Sequence, residues 1–206
     1  MKKITILIVD DHVIMRMGMV TALNFEPDMK VVAEAGNGRE AIELYTRHQP
    51  DLVLMDLRLP DLSGDQVTAK LCADNANVRV LAFTSYDTQE DIFRCVQAGA
   101  RSFLPKNAPL AELLTAIRSV HAGQNYLPPA IASRLMDRMR SPELSSRERS
   151  VLELLVKGRT NKEIAQALSI AETTARDHVS SIFTKLQATD RTQASTIAIQ
   201  RGLVRL

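Results

Sequence analysis

The sequence predicts an α/β fold, a doubly wound five-stranded parallel sheet, followed by a small all-α domain. Three observations predict it. Five short apolar runs alternate with five helical patterns over the first 121 residues. The turns between them are short, as parallel strands joined by covering helices require. From residue 142 onward the strand pattern disappears and four helical units follow.

The elements follow in order. The run Ile4-Thr5-Ile6-Leu7-Ile8-Val9 reads as a strand buried on both faces and ends on Asp10-Asp11. A helix is expected over 12–25, a strand over 30–35 and a helix over 39–48. The next run, Leu52-Val53-Leu54-Met55, repeats the first design: it is continuous, apolar and closed by an acid, Asp56. Pro60 and Gly64 then enforce a loop before a helix over 64–74. A strand over 78–83 leads to Thr84, and a helix over 88–98 has Asp87 as its natural start and Gly99 as its stop. A strand over 102–104 leads to Lys106, and a helix over 109–121 completes a first domain, 1–121. The break Ala122-Gly123-Gln124-Asn125-Tyr126-Leu127-Pro128-Pro129, a short helix over 130–139 and Arg140-Ser141-Pro142 make residues 122–141 a linker.

In the last segment, 142–206, the helix starts are marked. Ser145-Ser146-Arg147-Glu148 and Thr160-Asn161-Lys162-Glu163 fit the capping box, as does Asp190-Arg191-Thr192-Gln193 in its Asp/Gln form. Gly158 ends the first unit, and Ser169-Ile170 makes a tight turn between the second and third. Two short helices joined so briefly read as a helix-turn-helix.

Composition narrows the classes. A chain of 206 residues, 45% of them hydrophobic, can bury a core in each of two small domains. Cys72 and Cys95 have no paired spacing, which suggests reduced thiols in a cytoplasmic protein and excludes a disulfide or zinc framework. No stretch approaches a membrane span, so no membrane partner is expected. The charge is divided. Residues 1–120 carry 13 Lys/Arg against 16 Asp/Glu, and residues 121–206 carry 13 against 8. An acidic half joined to a basic half implies two tasks, the second involving a polyanion.

The chemistry of the first half lies at strand ends, where open parallel sheets bind their ligands. Asp10, Asp11 and Asp56 follow strands that a doubly wound order places side by side. Carboxylates converging without His or Cys suit Mg²⁺. The ion would offset their repulsion and leave one carboxylate free to attack an electrophile. Thr84 offers a hydroxyl and Lys106 a point charge, both suited to phosphoryl oxygens. Each residue also has a plainer reading: Asp56 as a strand-end cap, Thr84 as a helix start, Lys106 as a solvated charge. That all fall at strand C-termini argues for a site. In the first helix Met15, Met19 and Ala22 share one face and Val13, Met17 and Val20 the other, so one face should pack on the sheet and the other should seek a partner.

On these residues, 1–121 resembles a response-regulator receiver domain, whose pattern is an acidic pair, a phospho-accepting Asp, a Thr/Ser and a Lys. The resemblance implies that Asp56 accepts a phosphoryl group from a partner histidine kinase. Asp10, Asp11, Asp56 and Arg58 would form the Mg²⁺ set, and Thr84 and Lys106 would contact phosphoryl oxygens. Phe103 would be the switch aromatic, acting with Thr84. Many receivers have Pro directly after the Lys; here Pro105 precedes it. Residues 142–206 resemble the output domain of the NarL/FixJ (LuxR-type) class, through Leu144-Ser145-Ser146-Arg147-Glu148-Arg149, Thr160-Asn161-Lys162-Glu163-Ile164-Ala165 and Asp190-Arg191-Thr192-Gln193-Ala194. In its third helix Ala175, His178, Val179, Ile182 and Leu186 form the inward stripe. Thr173, Arg176, Asp177, Ser180, Thr184 and Lys185 lie outward, the first four toward base edges and Lys185 toward phosphate on double-stranded DNA. Ala171 replaces the Ser that often caps this helix, and Asp177 is unusual on a DNA-facing surface. Together the resemblances imply a transcriptional regulator, not an enzyme, that forms a homodimer when phosphorylated. The alternatives are a Mg²⁺-dependent phosphohydrolase using Asp56 as nucleophile, and a phosphorylation-independent DNA binder with a vestigial acidic site.

Overall fold

The protein is described from a computed structural model over residues 2–85 and 88–204. It divides into two compact units, one comprising Met1–Asp87 with Asp91–Arg134, the other Thr88–Glu90 with Leu135–Leu206.

Up to His121 the elements run β1 (Ile4–Val9), α1 (Val13–Phe25), β2 (Met29–Ala35), α2 (Gly38–His48), β3 (Leu52–Met55), α3 (Gly64–Asp74), β4 (Val80–Thr84), α4 (Gln89–Gln97), β5 (Ser102–Pro105) and α5 (Leu110–His121). The strands form one parallel sheet in the order β2-β1-β3-β4-β5. Covering helices explain the unbroken apolar runs, because each strand has two dry faces. Ile4, Ile6 and Ile8 of β1 pack with Leu52, Leu54, Leu81 and Leu104 against Leu23 of α1 and Leu113 and Ile117 of α5. Leu7 and Val9 face the other way, with Val53, Met55 and Val80, against Ala41 and Tyr45 of α2 and Val67 and Leu71 of α3. The strand order reverses at β1 and β3, so Asp10 and Asp56 emerge at the switch point where such sheets hold ligands. Asp87, expected to start α4, lies outside the described residues.

The β5 edge is extended by the following chain. Tyr126 bridges Ser102 in parallel register, and its N–H donates to the Arg101 carbonyl at 3.0 Å. The short linker helix, α6 (Pro129–Arg140), starts one residue earlier than the pattern suggested, with Pro in the first-turn position that tolerates it. In α1 the expected two faces are shifted. Met19 and Val20 both pack on the core, while Val13, Ile14, Met17 and Phe25 are exposed.

The second unit holds α7 (Ser146–Val156), α8 (Asn161–Leu168), α9 (Glu172–Leu186) and α10 (Arg191–Gln200) around Val151, Leu152, Leu155, Ile164, Ala175, Val179 and Ile182. The Ser145/Glu148 and Thr160/Glu163 capping boxes form as expected. The third forms only by half. Asp190 accepts from the Gln193 N–H, but the Gln193 side chain accepts from Thr189 N at 2.6 Å instead of from Asp190 N. Ser169, at φ 55°, closes α8 and turns the chain into α9. Ala171 gives α9 no side-chain cap.

Candidate functional site

The backbone ladder delivers the first site. Asp10 N donates to the Ala35 carbonyl at 3.0 Å and Asp56 N to the Val9 carbonyl at 2.8 Å, which pins both acids to the sheet's carboxyl edge. Behind Asp56 the chain doubles back. Gly64 N donates to the Leu57 carbonyl, and a Cβ on Gly64 would lie 2.1 Å from the Asp56 carbonyl oxygen, so only Gly allows this approach. Asp61 ties the same loop to the start of α2 by accepting from Gly38 N at 2.7 Å and Arg39 N at 3.0 Å. Those N–H donors hold its carboxyl below the usual range.

Asp10 and Asp56 are buried, and Lys106 bridges them, its Nζ 2.7 Å from Asp10 Oδ2 and 2.7 Å from Asp56 Oδ2. Burial opposes the ammonium charge, but hydrogen bonds to the two carboxylates outweigh it and raise the Lys106 pKa above its ordinary value. Asp11 is more exposed. Ligand atoms of Asp10, Asp11, Asp56 and His12 lie within 4.8 Å of one another. Three carboxylates and one ring nitrogen so close form a donor set that fits a divalent cation. His12 was not expected here. Its Nδ1 lies 2.7 Å from Asp11 Oδ1 and 3.2 Å from Asp10 Oδ1, and its backbone N–H donates to Asp10 Oδ1 at 2.9 Å. Arg16 supports the group from α1 by donating to the Asp10 carbonyl at 2.5 Å.

The other expected residues take distinct places. Arg58 N donates to Asp56 Oδ1 at 3.3 Å, and its guanidinium lies 4.0 Å from Asp91. A guanidinium has no lone pair to offer a cation, so only the Arg58 carbonyl can serve as a metal ligand. Thr84 is the last residue of β4, fully buried, and its carbonyl accepts from Lys106 N at 2.8 Å. Phe103 is also fully buried within β5.

In the second unit Thr173, Arg176, Asp177, Ser180 and Thr184 are exposed along α9, while Ala175, Val179, Ile182 and Leu186 form its buried stripe. His178 is half-buried beside them. Ser180 and Thr184 fold their hydroxyls back onto the helix carbonyls of Arg176 and Ser180, each at 3.1 Å. Lys185, expected to turn toward phosphate, is paired within the domain. It donates to Glu148 Oε2 at 2.7 Å and to the Glu143 carbonyl at 3.0 Å, because Glu148 is buried and needs a counter-charge.

Both halves match known families. Residues 6–118 match the response regulator receiver domain, and residues 142–198 match the luxR family of bacterial regulatory proteins. The chain therefore belongs to the response regulators that carry a luxR-family DNA-binding domain, and it is a phosphorylation-controlled transcriptional regulator. Among curated relatives it is similar to the transcriptional regulatory protein LiaR of Bacillus subtilis (strain 168), at 34% identity over 98% of this chain and 99% of that one. It is similar at 34% identity, with the same coverage, to the response regulator protein VraR of Staphylococcus aureus. Among solved structures it resembles the response regulator ChrA of a heme-sensing two-component system. The identity is 35%, the coverage 98% of this chain and 100% of that one, and the TM-score 0.60. No helix among the described residues is long and apolar enough to cross a membrane.

Proposed function

We propose that Asp56 is the phosphoryl acceptor and that Lys106 is the residue that registers its modification. The carrying observation is the Lys106 bridge, one ammonium 2.7 Å from each of two buried carboxylates at the sheet's switch point. An Asp56 carboxylate oxygen attacks phosphorus, and the bond from phosphorus to the donor breaks with its electron pair leaving on the donor. In transfer from a histidine kinase that donor is an imidazole nitrogen, which stays behind with the lone pair. Asp10, Asp11, Asp56 and the Arg58 carbonyl would hold Mg²⁺, with His12 at the edge of the set. The ion supplies charge neutralisation for the acids and the incoming phosphoryl oxygens.

Asp56 then carries added negative charge and new acceptor oxygens, to which Lys106 and the Thr84 hydroxyl turn. Lys106 follows Pro105 of β5, so its movement shifts the strand that carries Phe103. Phe103 registers with Ala82 and Met55, so its repacking changes the α3 side of the sheet, and the accompanying shift of Leu104 on the opposite face favours a homodimer surface at α1 and α5. The exposed α1 residues Val13, Ile14, Met17 and Phe25, between 57% and 89% exposed, support that surface. In the cytoplasm the dimer meets two half-sites on double-stranded DNA. On α9, Thr173, Arg176, Asp177 and Ser180 read base edges and Thr184 lies beside them.

Incubation with radiolabelled acetyl phosphate tests the acceptor. The wild type takes up label only with a divalent cation, and Asp56→Asn takes up none. Label that persists in Asp56→Asn, or that needs no metal, rules out the assignment.

A further inference from the structure

Glu148 does two tasks at once. In the first turn of α7 its Oε2 accepts from Ser145 N at 2.7 Å, closing the capping box, and the same oxygen lies 2.7 Å from Lys185 Nζ. Its Oε1 accepts from Ser181 Oγ at 2.6 Å. Ser181 and Lys185 are one turn apart on α9, so a single buried carboxylate grips that helix at two successive turns. The neighbouring Arg147 reaches the other helix of the pair, donating from Nη2 to the Leu168 carbonyl at 2.7 Å, at the end of α8. Two adjacent residues of α7 thus hold both helices of the helix-turn-helix.

We infer that Arg147 and Glu148 are positioning residues for DNA recognition, with Lys185 and Ser181 as the points where α9 is held. This rests on the reading of α9 as the DNA-facing helix. The grip lies toward the C-terminal end of α9, whereas Arg176 stands nine residues nearer its start, roughly 13 Å away along the axis. A tilt of about 10° about the grip would therefore carry Arg176 roughly 2 Å, well beyond the ~0.5 Å that a positioned recognition group tolerates. It also gives Lys185 a role distinct from phosphate contact: its cation is committed to Glu148 inside the domain.

The test uses the full-length protein with acetyl phosphate and Mg²⁺. The probe is a duplex recovered with the wild type by randomised-site selection. Glu148→Gln keeps a capping-box residue, so α7 still starts correctly, and Lys185→Met keeps the aliphatic stem. At a temperature where circular dichroism shows both folded, each should bind the duplex roughly tenfold more weakly, within the range of coupling between contacting residues. The double variant should bind no worse than the weaker single one. The dependence of affinity on salt should match the wild type, because no phosphate contact has been removed.

Three results would overturn the inference. One is a salt slope lowered by about one in Lys185→Met while Glu148→Gln binds normally, the mark of a phosphate contact. Another is wild-type affinity in both variants. The third is a loss that merely tracks the unfolded fraction. Arg176→Ala is the control. If it binds as wild type does, α9 is not the DNA-facing helix, and the inference falls with that reading.

Discussion

Replacing Lys106 by Met should make the stability of the receiver unit depend on a divalent cation. In the wild type the ammonium sits 2.7 Å from both Asp10 and Asp56, and all three side chains are at least nine-tenths buried. Met keeps a comparable apolar stem and removes only the charge. Two carboxylates whose oxygens lie as much as 4.8 Å apart then repel by roughly 3.5 kcal/mol at an effective dielectric near 20. Removal of one partner from a buried ion pair costs about 3–5 kcal/mol in comparable cases. For a unit of this size that lowers the melting temperature by about 10–20 °C. Mg²⁺ should restore most of the loss, and at lower concentration than the wild type needs, because no ammonium competes for the same oxygens. The assay is tyrosine fluorescence during heating, in chelator and across a Mg²⁺ titration. The chain has no Trp, and its three Tyr all precede residue 135, so the signal reports the receiver. A Met variant that melts with the wild type in chelator, or that ignores Mg²⁺, would refute the reasoning.

Asp177→Ala removes a negative charge from the exposed face of α9, so it should strengthen non-specific DNA binding. If Asp177 also reads cytosine, preference at one base position should relax by roughly 1–3 kcal/mol, and randomised-site selection at fixed salt measures both effects. Met17→Glu puts a charge into the exposed α1 surface, so sedimentation should show the phosphorylated protein remaining monomeric while label uptake at Asp56 is unchanged. Burial raises the Glu148 pKa, but the bonds from Lys185, Ser181 and Ser145 more than offset this and bring it to about 2. A group depressed in this way stabilises the fold above its unfolded pKa, near 4.3, and that stability is lost as the pH falls toward about 2. Glu148→Gln should therefore flatten the loss of amide protection in α7 and α9 between about pH 4.3 and pH 2.

Much of this architecture is legible in the sequence because its main determinants are local. Unbroken apolar runs such as Leu52–Met55, too short for a helix, read as strands covered on both sides, and the acids after β1 and β3, Asp10 and Asp56, mark the sheet's carboxyl edge. The helix starts at Ser145 and Thr160 announce themselves through capping residues three positions apart. What escaped depends on elements distant in the chain. Periodicity places Lys185 near the outer side of α9, but it gives no sign that α7 presents a buried carboxylate 37 residues earlier. His12 has no metal-ligand spacing to another His, and only the turn after β1 brings its ring to Asp10 and Asp11. In α1 the apolar residues nearly encircle the helix, so the pattern could not say that Val20 turns inward while Ile14 and Phe25 stay exposed.

In the proposed mechanism, phosphorylation at Asp56 controls DNA binding through the Lys106 bridge. The most direct measurement is the affinity for a selected duplex, at fixed salt and Mg²⁺, with and without acetyl phosphate, for the wild type and for Asp56→Asn. Phosphorylation should tighten binding in the wild type and leave Asp56→Asn unchanged. An equal response in both proteins, or none in a wild type shown to carry label, would contradict that mechanism.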